Sequence, residues 1–322
     1  MRKGLRFFML AGFLPFAVYM LMLPLLASAA STVTVDCRGH KANIKTIKDG
    51  LAQLPAIGPS TLLVSGTCHE NVLIQGYQFL TVQGNPTATI DGGTDINHDA
   101  VDIFSSSEVA LNNFTITGGG LGVWCGNQSL CRLNNLTVEN ALDVGIYVGI
   151  RSILYVGDST VQNNAELGLG TNVAGVLVVS GTMVQGNGAG IYVSHGGDLL
   201  VGNSETLPTL IQNNAGGSGI ATGFNATMRL DSGTISGNGG DGVQLAGGSA
   251  GAFWNITITG NSGHGVRIGD LSYAQFGAEA QITGNRDPDV VCDPEHSATR
   301  GIQNVKNNEG TTNCPEEPPT KP

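Results

Sequence analysis

The feature that most restricts this chain is a short motif ending in asparagine that returns at a nearly fixed interval. It reads LTVEN (Leu136–Asn140), STVQNN (Ser159–Asn164), TMVQGN (Thr182–Asn187), TLIQNN (Thr209–Asn214), TISGN (Thr234–Asn238), ITITGN (Ile256–Asn261) and QITGN (Gln281–Asn285). Its central aliphatics, Val138, Val161, Val184, Ile211, Ile235, Ile258 and Ile282, are spaced 23, 23, 27, 24, 23 and 24 residues apart. A glycine–aliphatic pair keeps the same beat independently at Gly122-Val123, Gly145-Ile146, Gly168-Leu169, Gly190-Ile191, Gly219-Ile220, Gly242-Val243 and Gly265-Val266. Two series with one period mark a repeat architecture, in which each unit buries its apolar face only against its neighbours.

The unit is short alternating runs of β-branched residues punctuated by Gly and Asn, which is strand and turn chemistry. It leaves no room for a helix, so leucine-rich, ankyrin and tetratricopeptide arrays are excluded. About 23 residues with three short strands make one coil of a parallel β-helix, stacked on the next at strand spacing of ~4.8 Å. The glycine–aliphatic series then forms an inward column. The recurring asparagine is expected at a turn, where it tolerates the left-handed conformation and hydrogen-bonds its counterpart one coil on. The longer intervals place loops at Gly196–Thr209 and Ala215–Ser218.

Open ends of such a stack invite edge pairing and need covers. Asn43–Leu54 carries Ile44, Ile47, Leu51 and Leu54 on one helical face, which predicts an amphipathic capping helix. The organisation expected is a signal peptide at 1–30, an N-terminal cap at 31–60, the β-helix at 61–286, a C-terminal cap at 287–314 and a disordered tail at 315–322. Arg2, Lys3 and Arg6, the apolar run Phe7–Leu26 and the small residues through Ala30 have the layout of a secretory signal. An uncleaved segment of that length would instead anchor the protein in a membrane. The six cysteines all follow it. An even count in an oxidising compartment reads as three disulfides. Sequence allows ~15 pairings, of which the local set Cys37–Cys68, Cys125–Cys131 and Cys292–Cys314 is favoured.

The ENVLI, LTVQGN and TIDGG opening followed by serial coils resembles the right-handed parallel β-helix proteins of the pectin-lyase-like superfamily, from about Thr61 to Asn285. The resemblance implies an all-β, single-stranded solenoid and a range of activities: lyase, polygalacturonase, methylesterase, epimerase, or none.

Three groups of residues bear on function. First, GHGVRIG (Gly263–Gly269) is similar to the G-H-G coil of polygalacturonase-like glycosidases, which makes Asp241, His264 and Arg267 candidate catalytic residues. Glycoside hydrolysis needs two carboxyl groups, and only Asp241 stands in place, with Gly240 and Ser218 where the resemblance asks for aspartates. A polar surface cluster explains the motif as well. Second, the residues after each inward aliphatic include Trp124, Tyr147, Tyr192 and Gln244, an outward row able to stack against sugar rings; an ordinary aromatic ladder is the plainer account. Third, Asp91, Asp95, Asp99 and Asp102 with His98 crowd DGGTDINHDAVD. Their hard oxygens suit calcium, although the spacing misses the EF-hand pattern and a solvated acidic loop needs no ion. No other cofactor or metal is implied.

The net charge of −10 and the lack of any lysine between Leu121 and Asn285 argue against nucleic acid and make a poor host for a polyanion. Five N-x-S/T sequons arise from the repeat itself. The reading is a secreted, extracellular or periplasmic β-helix that binds polysaccharide or a cell-surface glycan along its face without catalysis. The alternatives are a carbohydrate-active hydrolase or lyase with an atypical site, and a structural surface spacer.

Overall fold

The computed structural model describes residues 30–39, 43–277, 279–293, 297–305 and 312–315. The signal segment and the tail from 316 lie outside them. Alternation of apolar and polar residues gives 29 strands among the described residues, and every pairing between them is parallel, from the first (Ser31–Asp36 on Ser60–Ser65) to the last (Tyr273–Gln275 on Ala298–Arg300). Ten strands form one sheet, one strand per coil. The other nineteen form a second sheet that wraps the two remaining faces. In the early coils one long strand runs through both of those faces, as in Ile57–His69, Gln78–Asp91 and Ser107–Thr117. Later coils divide it in two, as in Leu130–Asn134 and Thr137–Glu139.

The inward column follows the glycine–aliphatic series. Val123, Ile146, Leu169, Ile191, Ile220, Val243 and Val266 pair in register and are fully buried. The column continues in both directions, through Val101 and Val72 on one side and Val290 on the other. Each glycine beside the aliphatic is needed because the coils approach closely: a Cβ at Gly219 would lie 2.5 Å from the Ile235 side chain and 2.7 Å from the Gly242 carbonyl oxygen.

The asparagine turn divides the two tasks expected of one residue. Asn164, Asn187, Asn214, Asn238, Asn261 and Asn285 form a ladder in which each side-chain amide donates to the Oδ1 of the next, at 2.8–3.0 Å. The same Oδ1 accepts the backbone N–H of the preceding ladder residue. Asn285 closes the series by donating to Asp289 Oδ1 at 2.9 Å. The left-handed backbone belongs instead to the residue just before each rung: Asn140, Asn163, Gly186, Asn213, Gly237, Gly260 and Gly284. Asn140 is therefore an exposed turn residue, and Ala141 occupies the first rung, its N–H donating to Asn164 Oδ1. The Oδ1 of a buried amide can satisfy two donors of the coil before, a demand that the αL position does not share.

The capping helix is shorter than the amphipathic pattern suggests, spanning Ile47–Leu51. Thr46 Oγ1 accepts from Asp49 N–H, and Glu70 accepts from the N–H groups of Ile47 and Lys48, so the first turn is held by side chains on both sides. Ile47 and Leu51 are buried with Leu54, which lies beyond the helix end. The strand ladders also run into both segments read as caps, through Ser31–Asp36 at one end and Val290–Cys292 and Ala298–Arg300 at the other. The loop expected over Gly196–Thr209 is shorter, because Asp198–Gly202 is a strand paired in the stack and only the stretch from Gly202 to Thr209 leaves it. All three disulfides of the local set are formed: Cys37–Cys68, Cys125–Cys131 and Cys292–Cys314.

Candidate functional site

The outward column of the ten-stranded sheet is a continuous row in strict register: Leu73, Asp102, Trp124, Tyr147, Gly170, Tyr192, Ala221, Gln244, Arg267 and Val291. All four binding residues expected from sequence lie on it. The rings of Trp124 and Tyr147 rest on glycines of the same face. A Cβ at Gly170 would come 2.9 Å from the Tyr147 ring, and a Cβ at Gly126 or Gly149 would come 2.9 or 2.8 Å from the Trp124 indole nitrogen. Trp124 also packs edge-to-face on Phe104, with centroids 4.7 Å apart. Its indole nitrogen is buried and has no hydrogen-bond partner among the described residues. Tyr192 is the most open of the three, at 37 % exposure.

Sequence did not connect the acidic cluster with this row. Asp102 pairs in register with Trp124. Burial, then the neighbouring Asp99 carboxylate, push its carboxyl up to about 7. One Asp102 oxygen is buried without a partner among the described residues. Further along the sheet edge, burial and then Glu166 and Asp99 raise Asp143 above the ordinary carboxylate range. Asp143 and Glu166 occupy one turn position in successive coils, 23 residues apart, so the period itself could have flagged them. The remaining acidic residues of the cluster point to other partners. Asp91 meets His69 Nδ1 at 2.9 Å. Asp95 meets His98 Nδ1 at 2.8 Å and accepts from Asn97, contacts that hold it low, with the Asn97 N–H foremost.

For a metal, the donor geometry is scattered. Among the described residues one group of three donors lies within 4.8 Å, Cys37, Cys68 and Glu70, and its two sulfurs are already joined as a disulfide. Asp91, Asp95, Asp99 and Asp102 do not form such a group.

Asp241, His264 and Arg267 do come together, but as a bonded cluster. Asp241 accepts from the His264 N–H at 2.8 Å and from Arg267 Nε at 2.7 Å and Nη2 at 3.4 Å. It is 8 % exposed and His264 is 7 % exposed. The Nδ1 of His264 lies 2.7 Å from the Pro288 carbonyl oxygen; a carbonyl only accepts, so that nitrogen carries a proton. The carboxylate is thus engaged three times and the imidazole is anchored to the following coil. This arrangement fixes a turn. Beside it, Gln244, Arg267, Asp270 and Asp293 border a shallow depression of about 390 Å³.

A family model described as "right handed beta helix region" matches residues 62–206. Among solved structures, pectate lyase Pel9A is 13 % identical over 81 % of this chain and 80 % of its own, with a TM-score of 0.55. The A-module of mannuronan C-5 epimerase AlgE4 from Azotobacter vinelandii is 14 % identical, over 90 % and 88 % of the two chains, with a TM-score of 0.49. Pectin methylesterase PemA from Erwinia chrysanthemi is 12 % identical, over 89 % and 92 %, with a TM-score of 0.41. No curated protein matches by sequence. At this identity the likeness to Pel9A carries the fold alone and leaves activity to the site. The ten-stranded parallel sheet, the inward column, the family match over residues 62–206 and the likeness to Pel9A together show that the described residues fold as a right-handed parallel β-helix.

Proposed function

We propose that this protein works outside the cell and holds an extended polysaccharide along the outer face of its ten-stranded sheet, without turning it over. The observation that carries this reading is the in-register row Trp124–Tyr147–Gly170–Tyr192. Its glycines let two rings settle against the sheet, giving a low apolar strip parallel to the solenoid axis. Sugar rings present apolar faces that stack on such strips. An extracellular setting is supported by the signal-like start and three disulfides. The polymer recognised is a neutral one, since the acidic residues Asp99, Asp143 and Glu166 crowd the edge of the same sheet beside Asp102 and disfavour a polyanion.

A second reading, hydrolysis or elimination on that face, is favoured by one observation. Asp102 stays protonated to about pH 7 next to Trp124, which suits a general acid. The hydrogen bonds that engage Asp241, His264 and Arg267 support Asp102 as the first residue to test for such chemistry.

Both readings are tested by incubating the protein with neutral and acidic polysaccharides, with and without calcium, while following retention, reducing ends and unsaturated-uronate absorbance. Retention on neutral polymers without turnover is expected, falling about tenfold in Tyr192→Ala, on the scale of one lost aromatic contact. Turnover abolished by Asp102→Asn would instead establish the second reading. Retention unchanged by Trp124→Ala, Tyr147→Ala and Tyr192→Ala together would sink the first.

A further inference from the structure

The corner that leaves the ten-stranded sheet is a two-residue turn repeated on successive coils. Its backbone is laddered. Arg151 N–H donates to the Val173 carbonyl at 3.1 Å, Ala174 to His195 at 3.1 Å, Gly196 to Phe224 at 2.9 Å and Asn225 to Gly247 at 2.8 Å. The ladder holds Val173, His195 and Phe224 in the left-handed region, at φ of 43°, 52° and 55°. β-Branched and bulky residues are strained there, whereas Gly or Asn is not, and the same corner uses glycine at Gly247. The strained side chains also face water: Val173 is 41 % and Phe224 58 % exposed. His195 lies stacked on Phe224, with ring centroids 4.5 Å apart. Neither the turn nor the core gains from these residues, and exposed apolar side chains in a row mark a contact surface.

One coil beyond Phe224 the ridge drops into a notch. Gly247 and Gly248, with Asn225, Asp270 and Leu271, line a depression of about 600 Å³. Knob and notch therefore sit on adjacent coils of one edge. Turn a second copy over about an axis midway between those coils, and each Phe224 faces a Gly247–Gly248 notch. The same operation sets each His195 opposite an Asp270. A basic group meets an acidic one, and a knob meets a hole, about a single point, which is the condition for an isologous contact.

We infer that this edge is a self-association surface, where two copies meet antiparallel with Phe224 of each seated in the notch of the other and His195 against Asp270. Two convex edges cover less than the ~800 Å² per partner of standard interfaces, so the dimer is weak and reversible, with a dissociation constant on the order of 10–100 μM.

The test is sedimentation velocity on the mature protein across that concentration range, beside Phe224→Asn and Asp270→Asn. Asparagine accepts the left-handed turn, so Phe224→Asn keeps the fold while removing the knob. The wild type is expected to shift toward two chain masses, and Phe224→Asn to stay at one with an unchanged or higher melting temperature. Asp270→Asn is expected to weaken association several-fold. A wild type that remains monomeric throughout, or a Phe224→Asn protein that associates like the wild type, overturns the inference. So does a Phe224→Asn variant that loses polysaccharide retention while associating normally, since the ridge would then belong to the polymer face. Tyr192→Ala separates the two proposals, because it is expected to lower retention and leave association intact.

Discussion

Each coil rounds two corners at the ends of the ten-stranded sheet, and they are built in opposite ways. The entering corner places its left-handed residue at Asn or Gly and buries the next side chain as a hydrogen-bonded rung. The leaving corner places its left-handed residues at Val173, His195 and Phe224 and turns them toward solvent. The backbone demand is similar; the surroundings differ. Where the corner is buried, each polar group must find a partner, and few residue types can satisfy it. Where it is exposed, the backbone ladder alone holds the turn, and the side chain is free for other work even at some cost in strain.

That contrast can be broken most directly in the middle of the Asn ladder. Asn214→Leu removes the acceptor for both the Asn187 backbone N–H and its side-chain amide. It is expected to cost about 3 kcal/mol, the scale of buried donors left unpaired, read from denaturant unfolding. A loss no larger than that of a surface substitution would show that the rungs are decorative. The ladder can also be lengthened. Ala141→Asn adds a rung where Ala141 N–H already donates to Asn164 Oδ1, and a gain of about 1 kcal/mol is expected. At the opposite corner the sign for removing a side chain reverses. Val173→Gly relieves the left-handed strain and is expected to raise stability by about 0.5 kcal/mol, the strain relieved less the extra freedom of glycine when unfolded.

A further effect concerns pH. Asp102 holds its proton to about pH 7 when folded and to about pH 4 when unfolded. Between those values the folded state binds the extra proton, so its contribution is fully present below about pH 4 and is lost as pH rises through about 7. Melting temperature should decline over that window, and Asp102→Asn should flatten the decline.

The inward columns were legible because one period, repeated through Val123 to Val266, admits a single stacking arrangement. The outward aromatics followed for the same reason, since Trp124, Tyr147 and Tyr192 inherit their register from the aliphatics before them. Legibility failed where the beat broke or shifted by one residue. Asn140 carries the expected residue type one place early, and only the geometry of the rung separates it from Asn164. Asp102 belongs to the outward row, but Ala100 stands where later coils have glycine, so the glycine–aliphatic series does not reach back to Val101 in the sequence. The roles of Asp241 and His264 were hidden for a different reason. Their partners, including the Pro288 carbonyl, come from neighbouring coils, and no local motif displays them.

The ladder also bears on how such a chain can change its length. Every internal rung offers the next coil the same two donors and the preceding coil the same acceptor, so a whole coil can be duplicated or deleted between Asn164 and Asn285 without stranding a polar group of the ladder. Asp289 is different: its Oδ1 accepts both the side-chain amide and the backbone N–H of Asn285, and a carboxyl side chain has no amide group to repeat the rung. Natural size variants of this solenoid should therefore differ by whole coils inserted within the stack, with Asp289 kept as its terminus.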